Sequence, residues 1–469
     1  MLKLMFLAGL VLIRACGGVP FTITTEDVTV QFSGAPRIQS FSFAQWNGLW
    51  VFIGGRTAGY HATGGAEAEF LRSQSNRRVW VVDPNVEPVR VYCASLDTLP
   101  ESMISVRDQL ASTAQLSFQD GDTFYIAGGY GQNQAGRWLT YPMLSVIKLP
   151  TLIEGVKRGR IPPRSIRYVE TSLVQSTGGE MLKLPDGHFY VVMGHNFNGS
   201  YTSFQGQREQ NRPAVSQVYL NEIRKLKIWM EAEGAPAVTL VETFRNEQQF
   251  HRRDLNVLPY LSPRGSGIAA YGGVFTPEQL AWTKPVYLLS GGNPSVDLSF
   301  DQKMNGYACA TMLLYDSANN AMYTTFFGGI SRHYYDKAAD GFVPHPKVGT
   351  RSDSVYLDGM QWSDQISTIR RTQNNTEEWV HSMPLPAFIG SDGVFVPTPD
   401  LPRAANSTDI IDIAELAGKR TLIGYLYGGI RASPYRFPYT RTAPAYNSGT
   451  VPTKASDLVL KVYLEVPSR

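Results

Sequence analysis

Gln119-Asp-Gly-Asp-Thr-Phe-Tyr-Ile-Ala-Gly-Gly-Tyr-Gly131 decides the fold. Asp-Gly supplies the positive φ of a tight hairpin. Thr123 to Ile126, β-branched and aromatic, reads as a buried strand. The pair Gly128-Gly129 then lets the backbone leave the sheet where a side chain would clash. The same order recurs along the chain. Asn47-Gly48 leads into Leu49 to Ile53 and Gly54-Gly55; Asp186-Gly187 leads into His188 to Met193 and Gly194, with His195 in the second slot. Ala269 to Tyr271 precedes Gly272-Gly273, Ala321 to Phe327 precedes Gly328-Gly329, and Thr421 to Tyr427 precedes Gly428-Gly429. Six copies of one strand-and-exit unit predict a closed array of small sheets.

On these glycine pairs the chain resembles the kelch-type β-propellers, the group that includes the galactose-oxidase-like propellers. More closely, it resembles an uncharacterised family of bacterial cell-envelope kelch propellers. The resemblance covers about residues 21–469 and implies one all-β propeller domain. It implies no activity, because propellers host many unrelated functions. Composition agrees with the fold: 469 residues with 43 Gly, 29 Pro and 24 Tyr suit many short strands joined by turns. With 43 basic and 40 acidic residues, the net charge of +3 is too balanced for a nucleic-acid surface.

Each blade is read as four antiparallel strands, a to d, from the channel outward. Strands a fall at about 38–45, 112–118, 173–183, 256–261, 308–315 and 387–396. The last blade then has only three strands, 387–396, 421–427 and 457–465, while 28–32 (Val28 to Phe32) is a strand without a blade. Six blades, the last closed by the N-terminal strand 28–32, remove both open edges. Seven blades is the alternative, should 330–400 hide another sheet. The a–b connections are tight hairpins. The b–c connections are mostly long: 56–76, 130–142, 195–214, 275–283, 330–352 and 430–456. Strand alternation puts all b–c and d–a connections on one face, so that face is built up and the other trimmed. Long loops on a rigid scaffold mark the working face.

Mixed arginines and aromatics on these loops suit a polar ligand such as a glycan or peptide, though the same residues also pack loops together. Arg56, Tyr130, His195, Arg332, His333 and Arg431 follow the glycine pairs closely. Arg107, Arg252 and Arg253 precede the inner strands of blades 2 and 4, beside Asp108 and Asp254. So many cations at one opening predict a ligand with an acidic group. Metal-ligand spacing, Walker A, HExxH and a nucleophile elbow are absent from the sequence, so the reading has no metal, no cofactor and no assigned catalytic residue. Kelch-type copper-radical oxidases need a reactive Cys, and Cys93 and Cys309 both lie in strand-like runs. The leading function is therefore ligand or partner binding on the looped face without catalysis. The alternatives are a carbohydrate-active enzyme of the sialate mutarotase/epimerase or lyase type, and a structural subunit of an envelope assembly.

Met1-Leu-Lys3 followed by the apolar run Leu4 to Ile13 reads as an export signal over 1–16, too short to span a bilayer. Ile13-Arg-Ala-Cys16 resembles a bacterial lipobox, with Arg14 off the pattern; this implies lipidation at Cys16 as the sole membrane link. The expected location is the periplasm, or the outer membrane or cell surface by that anchor.

Overall fold

A computed structural model describes residues 18–61, 69–201, 215–277, 280–345, 361–405, 407–433 and 452–468. Six sheets of four antiparallel strands, one of them extended by a short parallel fifth, form a β-propeller. In order a to d, blade 1 is Ser42–Trp46, Leu49–Ile53, Arg78–Asp83 and Arg90–Ser95; blade 2 is Leu116–Asp120, Thr123–Ala127, Met143–Lys148 and Ile166–Glu170. Blade 3 is Glu180–Lys183, Phe189–Val192, Glu222–Met230 and Pro236–Arg245; blade 4 is Arg253–Ser262, Gly265–Val274, Val286–Leu289 and Ser295–Val296. Blade 5 is Ala310–Asp316, Ala321–Phe327, Ile366–Arg371 and Thr376–Val380; blade 6 is Gly393–Pro397, Lys419–Gly428, Val459–Val466 and, from the other end of the chain, Thr22–Asp27. The b strands of blades 1, 2, 3 and 5 are buried along nearly their whole length, as their β-branched and aromatic residues require.

An N-terminal strand does close blade 6, but it is Thr22–Asp27 and not 28–32. It runs antiparallel to the third strand with Ile23 opposite Leu464. Asp27 ends it, because its carboxylate accepts the Thr29 backbone N–H at 2.9 Å and turns the chain into a 3₁₀ segment, Thr29–Phe32. Val28 and Phe32 are buried while Val30 is 88% exposed. That is burial at i and i+4 of a helical turn, whereas a strand would have buried all three. Phe32 stacks on Trp50 of blade 1, centroids 5.3 Å apart.

The glycine pairs join the blades. The second residue of each pair donates its N–H to a carbonyl just ahead of the next blade's inner strand. The bonds are Gly55 to Ser112 (2.8 Å), Gly129 to Ser176 (3.0 Å), Gly194 to Arg252 (2.9 Å), Gly273 to Gly306 (2.8 Å), Gly329 to Ile389 (2.9 Å) and Gly429 to Ile38 (2.9 Å). In the third copy the pair is Met193-Gly194, with φ of 57° and 84°, so His195 stands just after it rather than within it. The exit conformation is left-handed and tightly packed: Gly129 has φ of 87°, and a Cβ there would lie 2.1 Å from Ser112 Oγ.

A second tier of bonds closes the channel mouth on the looped face. Near the start of each inner strand, one residue contributes both its N–H and its C=O to a ring. Ser40 donates to Asp392 (3.0 Å), Ala114 to Ser40 (3.0 Å), Gly178 to Ala114 (3.3 Å), Asp254 to Gly178 (2.6 Å), Ala308 to Asp254 (2.8 Å) and Asp392 to Ala308 (3.1 Å). Six blades thus share one continuous backbone girdle, in which each of these six residues has both its N–H and its C=O satisfied.

The hairpin face is not trimmed at blade 6. Its a–b connection, 398–418, reaches across, and Ile411–Asp412 pairs in parallel with Leu314–Tyr315 on the free inner edge of blade 5. Ala404 and Ile410 pack in one cluster with Tyr260, Leu261 and Leu313. This segment caps the floor of the channel under blades 4 to 6. Two short helices also interrupt the all-β plan: Ile104–Leu110, ahead of blade 2, and Leu149–Lys157, whose Leu149, Leu152, Ile153 and Val156 pack with Val79, Val81 and Ala94 of blade 1.

Candidate functional site

The girdle carries two carboxylates, Asp254 and Asp392, at positions separated by Ala308 alone. Both backbones are left-handed, with φ of 51° and 54°, a conformation Asp tolerates better than most residues. Asp254 lies deep in the molecule yet keeps 32% of its side chain accessible, which places it on the wall of the open mouth. Its Oδ2 takes the Arg253 Nε–H at 3.1 Å. Burial raises its pKa, and Arg253 holds part of that rise back. Asp392 accepts from Ser391 Oγ at 3.0 Å and forms no ion pair among the described residues. Burial first, then the neighbouring Asp254, push its carboxyl up to about 6, against the opposing pull of Ser391, Ser40 and Arg56. Two nearby acids are thus held differently, one by a guanidinium and one by hydroxyls.

Arg253 also donates to Tyr219 Oη at 3.0 Å and lies 5.2 Å from the Phe275 ring centroid. Burial opposes its charge, but Tyr219, Asp254, Tyr201 and Tyr307 outweigh that and keep it protonated. Arg56, directly after its glycine pair, binds Glu69 at 3.1 Å and Gln74 at 3.3 Å and lies 4.2 Å over the Phe70 ring. Aromatic rings wall the mouth: Tyr60 contacts His61 and Trp362, His61 contacts Tyr201, and Tyr201 contacts Phe70 and Phe197. Tyr130 donates to Gly199 O at 2.6 Å, and burial drives its pKa well up. His195 Nδ1 lies 2.8 Å from Gln217 Nε2; burial, with Arg253 and His251, holds its pKa well below the ordinary value, so it is neutral at physiological pH.

Of the nine residues singled out in the sequence, the structure brings Arg56, Tyr130, His195 and Arg253 to this mouth. The others are engaged elsewhere. Arg252 is fully buried: it donates to the carbonyls of Gln249 (2.6 Å), Gly272 (3.1 Å) and Lys284 (2.8 Å) and stacks on Trp282. It fastens blade 4 from inside. Arg332 donates to His345 O, His333 Nδ1 approaches Lys303 O at 3.3 Å, and Arg431 pairs with Asp457 at 2.9 Å. Arg107 sits buried in the short helix, and Asp108 pairs with Arg72 rather than with its neighbour.

This changes the charge argument. Arg56 has Glu69, Arg253 has Asp254 and Arg431 has Asp457. The two arginines at the mouth, Arg56 and Arg253, are therefore each matched by an acid, and Asp392 is an acid beyond that match. Asp392 went unnoticed in the sequence, although Ser391-Asp392-Gly393 has a detectable signal: an Asp just before Gly at the start of an inner strand, the place Asp254 holds in blade 4. Cys16 and the export segment lie outside the described residues, as do Arg208, Arg212, Arg436 and Arg441 of the long b–c connections. No group of three or more His, Cys, Asp or Glu able to hold a metal occurs among the described residues, and no described helix is long and apolar enough to cross a membrane.

No family model and no curated protein matches the sequence. Among solved structures, the chain is similar to the one titled "Structure of YjhT", with 11% identity over 85% of this chain and 96% of that one, at a TM-score of 0.46. A likeness at that level carries nothing about chemistry.

Proposed function

We propose that the mouth of the channel binds a hydroxyl-rich ligand of the glycan type. The observation that carries this is the girdle-mounted pair Asp254 and Asp392 beside Arg253, under a wall of tyrosines. Carboxylates accept from sugar hydroxyls, a guanidinium donates to them, and aromatic faces cover the apolar faces of a sugar ring. An acidic group on the ligand is not required, because the arginines already have internal partners. A glycan array probed with the full chain tests the reading. Hits should fall about tenfold or more in affinity with Asp254→Asn, the scale of one charge-assisted hydrogen bond. An array with no hit, or Asp254→Asn binding as wild type, refutes it.

A second reading is acid–base catalysis on the same ligand. It draws support from two neighbouring carboxylates that feel each other and whose surroundings differ, one ion-paired and one raised to about 6. We also read the chain as exported, from its charged start and apolar run, and as lipid-anchored at Cys16 in a bacterial envelope of the kelch-propeller kind.

A further inference from the structure

A second cluster lies away from the mouth, between the loops of blades 1 and 2. Asp108, on the helix Ile104–Leu110, receives Arg72 on Oδ1 and the Gln134 backbone N–H on Oδ2 at 2.9 Å. Arg77 reaches Asp97 through Nη2 at 2.5 Å, but its Nη1, 4.0 Å from Asp108, is buried without a hydrogen bond. Tyr141, 5% exposed, has a buried hydroxyl with no partner, and that hydroxyl feels Asp108, Arg72 and Arg77. Arg107, the preceding helix residue, is 9% exposed, makes no ion pair among the described residues and leaves its Nε unpartnered.

Every orphan atom here is a donor: a phenol O–H and guanidinium N–H groups. Arg72 and Arg77 face one buried carboxylate, Asp108, and Arg77 also pairs with the half-exposed Asp97. Leaving such donors buried and unpaired is costly, so native folds satisfy them. We propose that this cluster is a binding site for a small oxyanion, a carboxylate, phosphate or sulfate, which accepts from Tyr141 Oη and Arg77 Nη1. Arg72 and Arg77 each keep part of their side chain accessible, which gives the anion a way in. An ordered water could satisfy the same donors, and the experiment separates the two.

Phosphate, sulfate and acetate are titrated into the full chain by calorimetry at constant ionic strength, with chloride as the reference. At least one oxyanion should bind saturably. Tyr141→Phe, which removes only the unpartnered hydroxyl, should weaken it about tenfold or more, with circular dichroism confirming the fold; Arg77→Gln should do the same. No saturable binding of any of the three anions would overturn the proposal in favour of water. So would binding that is unchanged in both variants.

Discussion

Closure of the propeller rests on one polar strand, and Ile23→Ala tests it. Ile23 is the one fully buried side chain of Thr22–Asp27. It packs in one cluster with Ile423, Leu460, Val462 and Leu464. Deleting the strand would be a poor test. It removes burial and hydrogen bonds, but it also returns about 1–2 kcal/mol of backbone entropy per residue, and the two nearly cancel. The point change leaves the entropy alone. It removes three carbons at about 0.8 kcal/mol each and leaves a cavity, for a loss of about 2–4 kcal/mol. At about 2 cal/mol/K per residue, a chain of this length unfolds with an entropy near 1 kcal/mol/K, so calorimetry should show a melting temperature lower by about 2–4 °C. Thr22→Ala, on the exposed face of the same strand, should stay within about 0.5 °C. If Ile23→Ala melts together with Thr22→Ala, the strand frays before the transition and does not hold the blade closed.

Asp392→Asn should stabilise the protein at neutral pH. The folded carboxyl titrates at about 6 against a reference of 3.8, so the folded state holds the proton more tightly. Its stabilising contribution is complete below pH 4 and is lost as pH rises to about 6. Asn keeps the left-handed backbone and carries no charge to desolvate, so the variant should gain about 1–2 kcal/mol over wild type at pH 7, after discounting for partial solvation, and nothing at pH 4. A gain that is equal at both pH values would mean Asp392 is not the titrating group. For the export reading, metabolic labelling with a clickable palmitate should mark the wild-type chain and not Cys16→Ala; equal labelling of both would exclude lipidation there.

The fold was legible because its joints are written in glycine. The N–H of the second glycine must reach a carbonyl of the next blade, the backbone must be left-handed to aim it, and a Cβ would collide, as at Gly129. Three constraints on one position leave a mark that a single sequence shows six times. Met193 shows the limit of that mark: the surrounding sheet holds a methionine in the same left-handed slot at φ 57°, which shifted the reading of His195 by one place. The closing strand was misplaced for the opposite reason. Thr22-Ile-Thr-Thr-Glu-Asp27 buries only one apolar residue and looks like a loop, while Val28, Val30 and Phe32 look like alternation but belong to a helical turn with Val30 outside.

The site was legible only in part, because its organising element is made of backbone. Ser40, Ala114, Gly178, Asp254, Ala308 and Asp392 share a place in the girdle and no side-chain chemistry. Their common feature is an N–H and a C=O turned along the ring, which every residue but proline carries, so no motif announces them. What the ring leaves free to vary is the six side chains, and four of them are small. A girdle that needs only main-chain atoms can mount acids wherever a ligand wants them, here at two places with one blade between them. The arginines drew attention because they are conspicuous in sequence, yet Arg252 spends its guanidinium on Gln249, Gly272 and Lys284 in and beside blade 4, while Arg253, one residue on, points its guanidinium at Asp254 and Tyr219. Successive residues leading into an inner strand face opposite ways, so one braces the scaffold and the next serves the mouth. The bare dipeptide could not say which was which.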